Sequence, residues 1–221
     1  MPPPFVRAVS YGVYQDRMRE AIHAFKYDRL YGASRGLGRM LAEAMAQLAA
    51  EAPAEMLVVP VPLHRSKHRL RGFNQARALA AEAIRFLRKT HPDWRLRLAS
   101  RTLLRQRATE SQAGLTPRQR RQNVRGAFAV SDPAQVKARH ILLVDDILTT
   151  GATARASALA LIAAGAASVW VATLARAQRA EGDGLFSGVG GVGGVREERE
   201  ESEVQKAGTL DRGDWPVICL P

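Results

Sequence analysis

Apolar and polar positions follow two rhythms along this chain, and the switches between them mark its elements. Met18, Ile22 and Phe25 recur at helical spacing, as do Leu37, Leu41, Met45 and Leu48, so residues 15–50 read as two helices. Gly32 and Gly36 mark the break between them. Met56 to Leu63 is a short apolar run bounded by prolines, which suits a buried strand entering a rigid loop. The basic stretch His64 to Arg71 reads as a loop, and Ala76 to Leu87 predicts a helix. Leu96, Leu98 and Leu103 fall at strand positions, Gln106 to Asn123 reads as a long polar loop, and Gly126 to Val130 as a returning strand. A polar excursion of that length within one domain is usually functional or disordered.

His140 to Asp145 is a continuous apolar run of the kind found in central parallel strands. A helix over about 151–164, ended by Gly165, and a strand over 168–174 follow it. Ala156 to Ala175 is nearly free of charge and about as long as a membrane span, but Gly165 divides it. It reads as helix, turn and strand, and no membrane partner is expected. Such a unit closes by a right-handed parallel crossover, so the fold class is α/β. The expected organisation is a helical segment over 1–50, the main domain over 51–180 and a tail over 181–221. Gly188 to Val195 and Glu197 to Glu201 cannot bury enough to offset their ordering entropy, which predicts disorder there. Trp215 to Leu220 is apolar enough to dock back.

Charge changes the picture in one region. The formal net charge is +12, yet residues 61–125 hold 17 Lys and Arg against 3 acids, whereas 181–221 hold 4 against 9. A basic middle fits a polyanionic partner (phosphate, diphosphate or nucleic acid) or a solvated arginine-rich surface. Cys219 is the sole cysteine, which excludes a disulfide framework within this chain. The start, Met-Pro-Pro-Pro-Phe, lacks the basic flank and apolar run of a secretory signal, and the expected location is cytoplasmic.

The candidate chemistry lies in residues 141–153. Asp145 and Asp146 follow the apolar run, and in an open parallel sheet ligands bind beyond the carboxyl ends of the strands. Two adjacent carboxylates are suitable acceptors for a vicinal pair of hydroxyls. The next residues, Thr149, Thr150, Gly151, Ala152 and Thr153, are small or hydroxylated and open a helix, whose amides suit one phosphate. Gly151 lets the backbone approach without an intervening side chain. Acids for hydroxyls beside amides for a phosphate describe a ribose 5-phosphate compound. A threonine-capped helix after an acidic strand end is the bland alternative. No Gly-Lys-Ser/Thr follows, so this is not a nucleotide P-loop, and no Gly-x-Gly-x-x-Gly occurs here.

The segment resembles the phosphoribosyl pyrophosphate (PRPP) signature of type I phosphoribosyltransferases, and the chain resembles the ComF family of competence-associated proteins. The matching stretches are Val59-Pro-Val-Pro-Leu-His64, Arg71-Gly-Phe-Asn-Gln75, Arg101 to Gln112, Arg121-Gln-Asn-Val124 with Gly126-Ala-Phe128, and Ile141 to Thr153. They cover roughly 5–178. The resemblance implies a phosphoribosyltransferase-like open, mostly parallel sheet with an N-terminal helical hood and a flexible hairpin. By position, Asp145 and Asp146 would hold the ribose hydroxyls and Thr149 to Thr153 the 5′-phosphate. Pro62, Leu63, His64 and Arg65 would form the diphosphate loop, and Arg101, Arg105, Thr109 and Gln112 would lie in the closing loop. Mg²⁺ would sit on the ligand's diphosphate. Members of that family often begin with a cysteine-rich zinc module, and no cysteine precedes Cys219, which implies that this metal site is absent.

Other signals are weaker. His64 and His68 read as loop residues rather than a metal pair. Arg71 to Gln75 either contacts ligand or caps the next helix, with Asn74 as the cap. Arg118, Arg120, Arg121 and Arg125 either pair with phosphates or solubilise a hairpin, and Phe73 and Phe128 read as core. Two functions stay open: transfer of phosphoribosyl from PRPP to an acceptor, and non-catalytic sensing of PRPP or a nucleotide by a protein that binds single-stranded DNA. Neither an acceptor, a general base nor an oligomeric state follows from the pattern.

Overall fold

The computed structural model describes residues 3–27, 32–107, 116–177 and 217–219. Six strands form one sheet in the order β3-β2-β6-β7-β1-β8, with every neighbouring pair parallel. They are β1 (Ala8–Val13), β2 (Glu55–Pro60), β3 (Arg95–Leu98), β6 (His140–Leu148), β7 (Ser168–Arg176) and β8 (Val217–Cys219). The other two, β4 (Leu103–Arg105) and β5 (Phe128–Val130), pair antiparallel as a separate hairpin. The α/β class and the open parallel sheet flanked by helices are as expected.

Alternation along the central strands feeds two cores. Met56, Val58, Leu142, Val144, Trp170 and Ala172 join one, together with Ile22, Phe25, Leu41, Met45, Leu79 and Leu87. Those last six come in pairs from α1 (Asp16–Tyr27), α2 (Ala33–Ala46) and α4 (Gln75–Thr90). Leu57, Val59, Ile141, Leu143, Val169 and Val171 face the other core with Leu103, Phe128, Val124 of α5 (Pro117–Val124) and Leu161 of α6 (Ala152–Ala163). Helices α2 and α4 approach closely at Gly38, where an added Cβ would lie 2.4 Å from Glu82 Cβ.

Several elements differ from the sequence reading. The stretch His64 to Arg71 is not a loop: Arg65–Arg71 is a helix, α3, capped by the His64 side chain, which accepts from Ser66 N–H. The polar excursion over 106–123 contains α5, started by a capping box between Thr116 and Gln119. The first 50 residues supply a strand to the sheet as well as helices. Strand β1 escapes a hydrophobicity pattern because buried Ser10 sits in it, satisfied by the Thr173 hydroxyl at 2.7 Å. Gly36 lies inside α2, and only Gly32 marks its start. Val217–Cys219 pairs with Ala8–Ser10, and the rest of 181–221 lies outside the described residues. Ala156 to Ala175 is helix, turn and strand, and no helix of the described residues is long and apolar enough to cross a membrane.

Candidate functional site

Strand β6 outruns its neighbour β2, whose register ends with Pro60 opposite Val144. The backbone of Val61 adds a last bond to Val144 O at 2.8 Å and then turns away. This divergence opens a cleft of about 200 Å³ at the carboxyl edge of the sheet. Asp145 and Asp146 line it from within β6, which runs on past the apolar stretch to Leu148. Asp145 stands opposite Thr173 on β7, and its Oδ1 accepts from Asp146 N–H at 2.9 Å.

The two carboxylates meet different partners. Asp146 is paired with Lys26, from the last turn of α1, at 2.7 Å, and both side chains are only about 15% exposed (15% and 16%). Burial raises the Asp145 carboxyl to about 7, and the adjacent Asp146 charge adds to the rise. The Asp146 amide, Lys26 and Arg105 oppose it. A buried acid poised near neutrality at a sheet edge is characteristic of a working site.

Beyond the acids, Gly151 takes a left-handed φ of 70° and starts α6. No side chain caps this helix, so a threonine cap is not what the sequence encodes here. Thr149, Gly151, Ala152 and Thr153 line the cleft. Thr150 does not, yet its Oγ1 is buried without a hydrogen-bond partner. The free amides of an uncapped helix start are the kind of group that suits an anion.

The opposite wall is cationic. Lys67 and Arg71 reach the cleft from α3, and Arg105 from the hairpin, where its guanidinium also lies 5.3 Å from the Phe128 ring centroid. Burial lowers the Lys67 amine, and the charges of Arg105, Arg71 and Lys26 lower it further while Asp146 acts against them. Burial likewise lowers Arg105, opposed by Asp145. Positive groups crowded this closely favour a bound anion that relieves their repulsion.

The expected site residues therefore divide. Pro62 and Leu63 border the cleft, whereas His64 caps α3 and exposed Arg65 begins it, and neither lines the cleft. Arg105 is in the cleft and Arg101 is not; Thr109 and Gln112 lie outside the described residues. In the Arg71 to Gln75 stretch the capping reading holds, since Asn74 accepts from Arg77 N–H at the start of α4, and Arg71, Asn74 and Gln75 line the cleft. Phe73 packs edge-on to Phe25 at 5.3 Å and Phe128 is buried, both as core residues. Lys26 and Lys67 were missed. Their only signal was a lysine ending an amphipathic helix and one charge among many in a basic run.

Residues 71–186 match the family model of the phosphoribosyl transferase domain. Among curated proteins, the DNA utilization protein YhgH of Escherichia coli strain K12 is 34% identical over 177 residues, covering 79% of this chain and 74% of that protein. Competence protein F of Haemophilus influenzae is 29% identical over 178 residues, covering 79% and 75%. A solved glutamine PRPP amidotransferase from B. subtilis, complexed with ADP and GMP, aligns with a TM-score of 0.36 and 24% identity over 64% of this chain. The aligned part is 26% of that structure's chain.

Proposed function

Because the chain belongs to the phosphoribosyl transferase domain family, together with the DNA utilization protein YhgH and competence protein F, we propose that it binds PRPP and transfers the phosphoribosyl group to an acceptor, releasing diphosphate. The observation that carries this reading is the set of groups that share one cleft: two acids, a bare helix start and a cluster of cations. The bare start of α6 and the unpartnered Thr150 hydroxyl would take the 5′-phosphate. Asp145 and Asp146 would hold the ribose hydroxyls, and Lys67, Arg71 and Arg105 would face the diphosphate.

The chemistry follows from that set of groups. As the bond from the anomeric carbon to diphosphate lengthens, positive charge grows on the sugar and negative charge on the leaving group. Pre-placed cations stabilise the leaving group without reorganisation. The hairpin that carries Arg105 would limit the access of water, which would otherwise capture the sugar cation. Among the described residues no cluster of three His, Cys, Asp or Glu could cage a metal ion. Mg²⁺ needs no such cage, since it takes phosphate oxygens and water with one or two carboxylates. Asp145 and Asp146 are the carboxylates available to it, and bound Mg²⁺ would neutralise charge on the diphosphate.

The test is diphosphate release from PRPP and Mg²⁺ with a panel of bases and amines. Turnover above the protein-free control is expected. PRPP binding without any release would instead favour a sensor.

A second reading, single-stranded DNA binding, is favoured by a groove between α2 and α4. Arg35, Arg39, Arg85 and Lys89 border it, with Glu82 as its acid, and Arg39 lies 5.2 Å from the Phe86 ring centroid. Cations around an aromatic ring suit a nucleic acid strand, with phosphates on the rim and a base on the ring. Affinity for an oligonucleotide should then fall with salt, by a log–log slope of about −0.7 per phosphate contacted. A flat response removes this reading.

A further inference from the structure

Gln75 is 2% exposed, lines the cleft, and has an Nε2 with no hydrogen-bond partner. A buried amide donor left unsatisfied is costly, and one facing a cleft is usually completed by what binds there. Its orientation is fixed by chemistry. Arg71 Nη1 donates to Gln75 Oε1 at 3.3 Å, and a flipped amide would set donor against donor. The oxygen therefore holds the guanidinium and the NH₂ group is left for a ligand.

Neighbouring Asn74, by contrast, is engaged at both ends of its amide. Its Oδ1 takes Arg77 N–H at 3.2 Å and its Nδ2 donates to Val61 O at 3.0 Å. That second bond ties the start of α4 to the residue just before Pro62 and Leu63. Gln75 thus follows directly on the residue tied to that turn and holds Arg71, one of the cations of the cleft.

We propose that Gln75 is a specificity-determining residue of this site, donating from Nε2 to a diphosphate oxygen of the ligand while its Oε1 aligns Arg71. The assignment rests on the PRPP reading above. A neutral donor suits the position, because Lys26, Lys67, Arg71 and Arg105 already crowd the cleft and a fifth cation would add repulsion. It also donates at every pH.

Two variants separate donation from support. Gln75→Glu keeps the shape and a partner for Arg71 but replaces the donor by a carboxylate. Gln75→Met removes both functions and keeps the length. Binding of inorganic diphosphate with Mg²⁺ and of ribose 5-phosphate is measured for each by calorimetry, beside thermal melting. The expected result is a loss of diphosphate affinity of tenfold or more in both variants, ribose 5-phosphate affinity within twofold of wild type, and a Gln75→Glu melting temperature at least equal to wild type. Unchanged diphosphate affinity in Gln75→Glu, or equal losses for both ligands, overturns the proposal. Failure of the wild-type protein to bind either ligand would instead overturn the reading of the cleft itself.

Discussion

At the β6–α6 turn the site is made of backbone and short side chains that follow one another in sequence, from Asp145 to Thr153. Across the cleft, Lys26, Lys67 and Arg105 come from α1, α3 and a hairpin, and meet only in the folded molecule. The first wall is held by the ladder between β6 and β7, so its geometry is a property of the sheet. The second consists of long side chains on short or peripheral elements. Changes to the backbone of the first wall should therefore disturb both stability and binding, and side-chain changes in either wall mainly binding.

The largest effect is expected from Asp145→Asn combined with Asp146→Asn. Each carboxylate hydrogen bond to a ligand hydroxyl is worth about 1.5–3 kcal/mol, so PRPP affinity should drop by roughly two to four orders of magnitude. Titration calorimetry at pH 8 would measure it, and affinity within tenfold of wild type would remove the acids from the ribose site. Asp145→Asn alone carries a second signature. The folded carboxyl titrates at about 7, above its ordinary 3.8, so the folded protein holds this proton more tightly than the unfolded chain. Stability from this group is full below about pH 4 and is lost as pH rises toward 7. The Asn variant should lack that decline in melts from pH 4 to 8, and an overlaid pH profile would refute the burial of this charge.

Next in size is Gly151→Ala. A φ of 70° costs a residue with a Cβ about 1–2 kcal/mol, and relief of that strain would swing the turn away from the cleft. A lower melting temperature and weaker ribose 5-phosphate binding should appear together. Loss of stability alone would mean that the turn holds no phosphate. Arg105→Ala tests the other wall: PRPP affinity should fall about tenfold, as for one charge-assisted bond, while the effect on ribose 5-phosphate stays small. Equal losses for both ligands would contradict the assignment of this wall to the diphosphate.

The contrast between the walls also explains what the sequence disclosed. Asp145 to Thr153 was legible because strand, turn and helix start are contiguous, and each residue type has a local physical reason to be there. The cationic wall was only half legible. Pro62, Leu63 and Arg105 entered through a family resemblance, while Lys26 and Lys67 look like ordinary solvated charges until α1 and α3 bring them to the cleft. The stretch after Leu63 read as a loop because a histidine before a basic run carries no apolar period, yet its ring accepts from Ser66 N–H and begins a helix. Among the elements, β2, β6, β7 and α6 followed from apolar rhythm. By contrast, β1 hid behind Ser10, and α5 behind a surface too polar to show a period.

The smallest expected effect carries opposite signs in its two readouts. Thr150 Oγ1 is buried with no partner, so the unliganded fold gains little from that hydroxyl. In Thr150→Val a methyl group replaces it at nearly the same volume, and the melting temperature should hold or rise slightly. A phosphate at the start of α6 would accept from the hydroxyl, and loss of one such bond, at about 1 kcal/mol, should weaken ribose 5-phosphate binding about fivefold. Thr149→Val, at an exposed position lining the same cleft, should leave stability unchanged. A melting temperature lowered by Thr150→Val would mean that the hydroxyl serves the fold, and the phosphate site would then rest on the backbone amides of Gly151 to Thr153 alone.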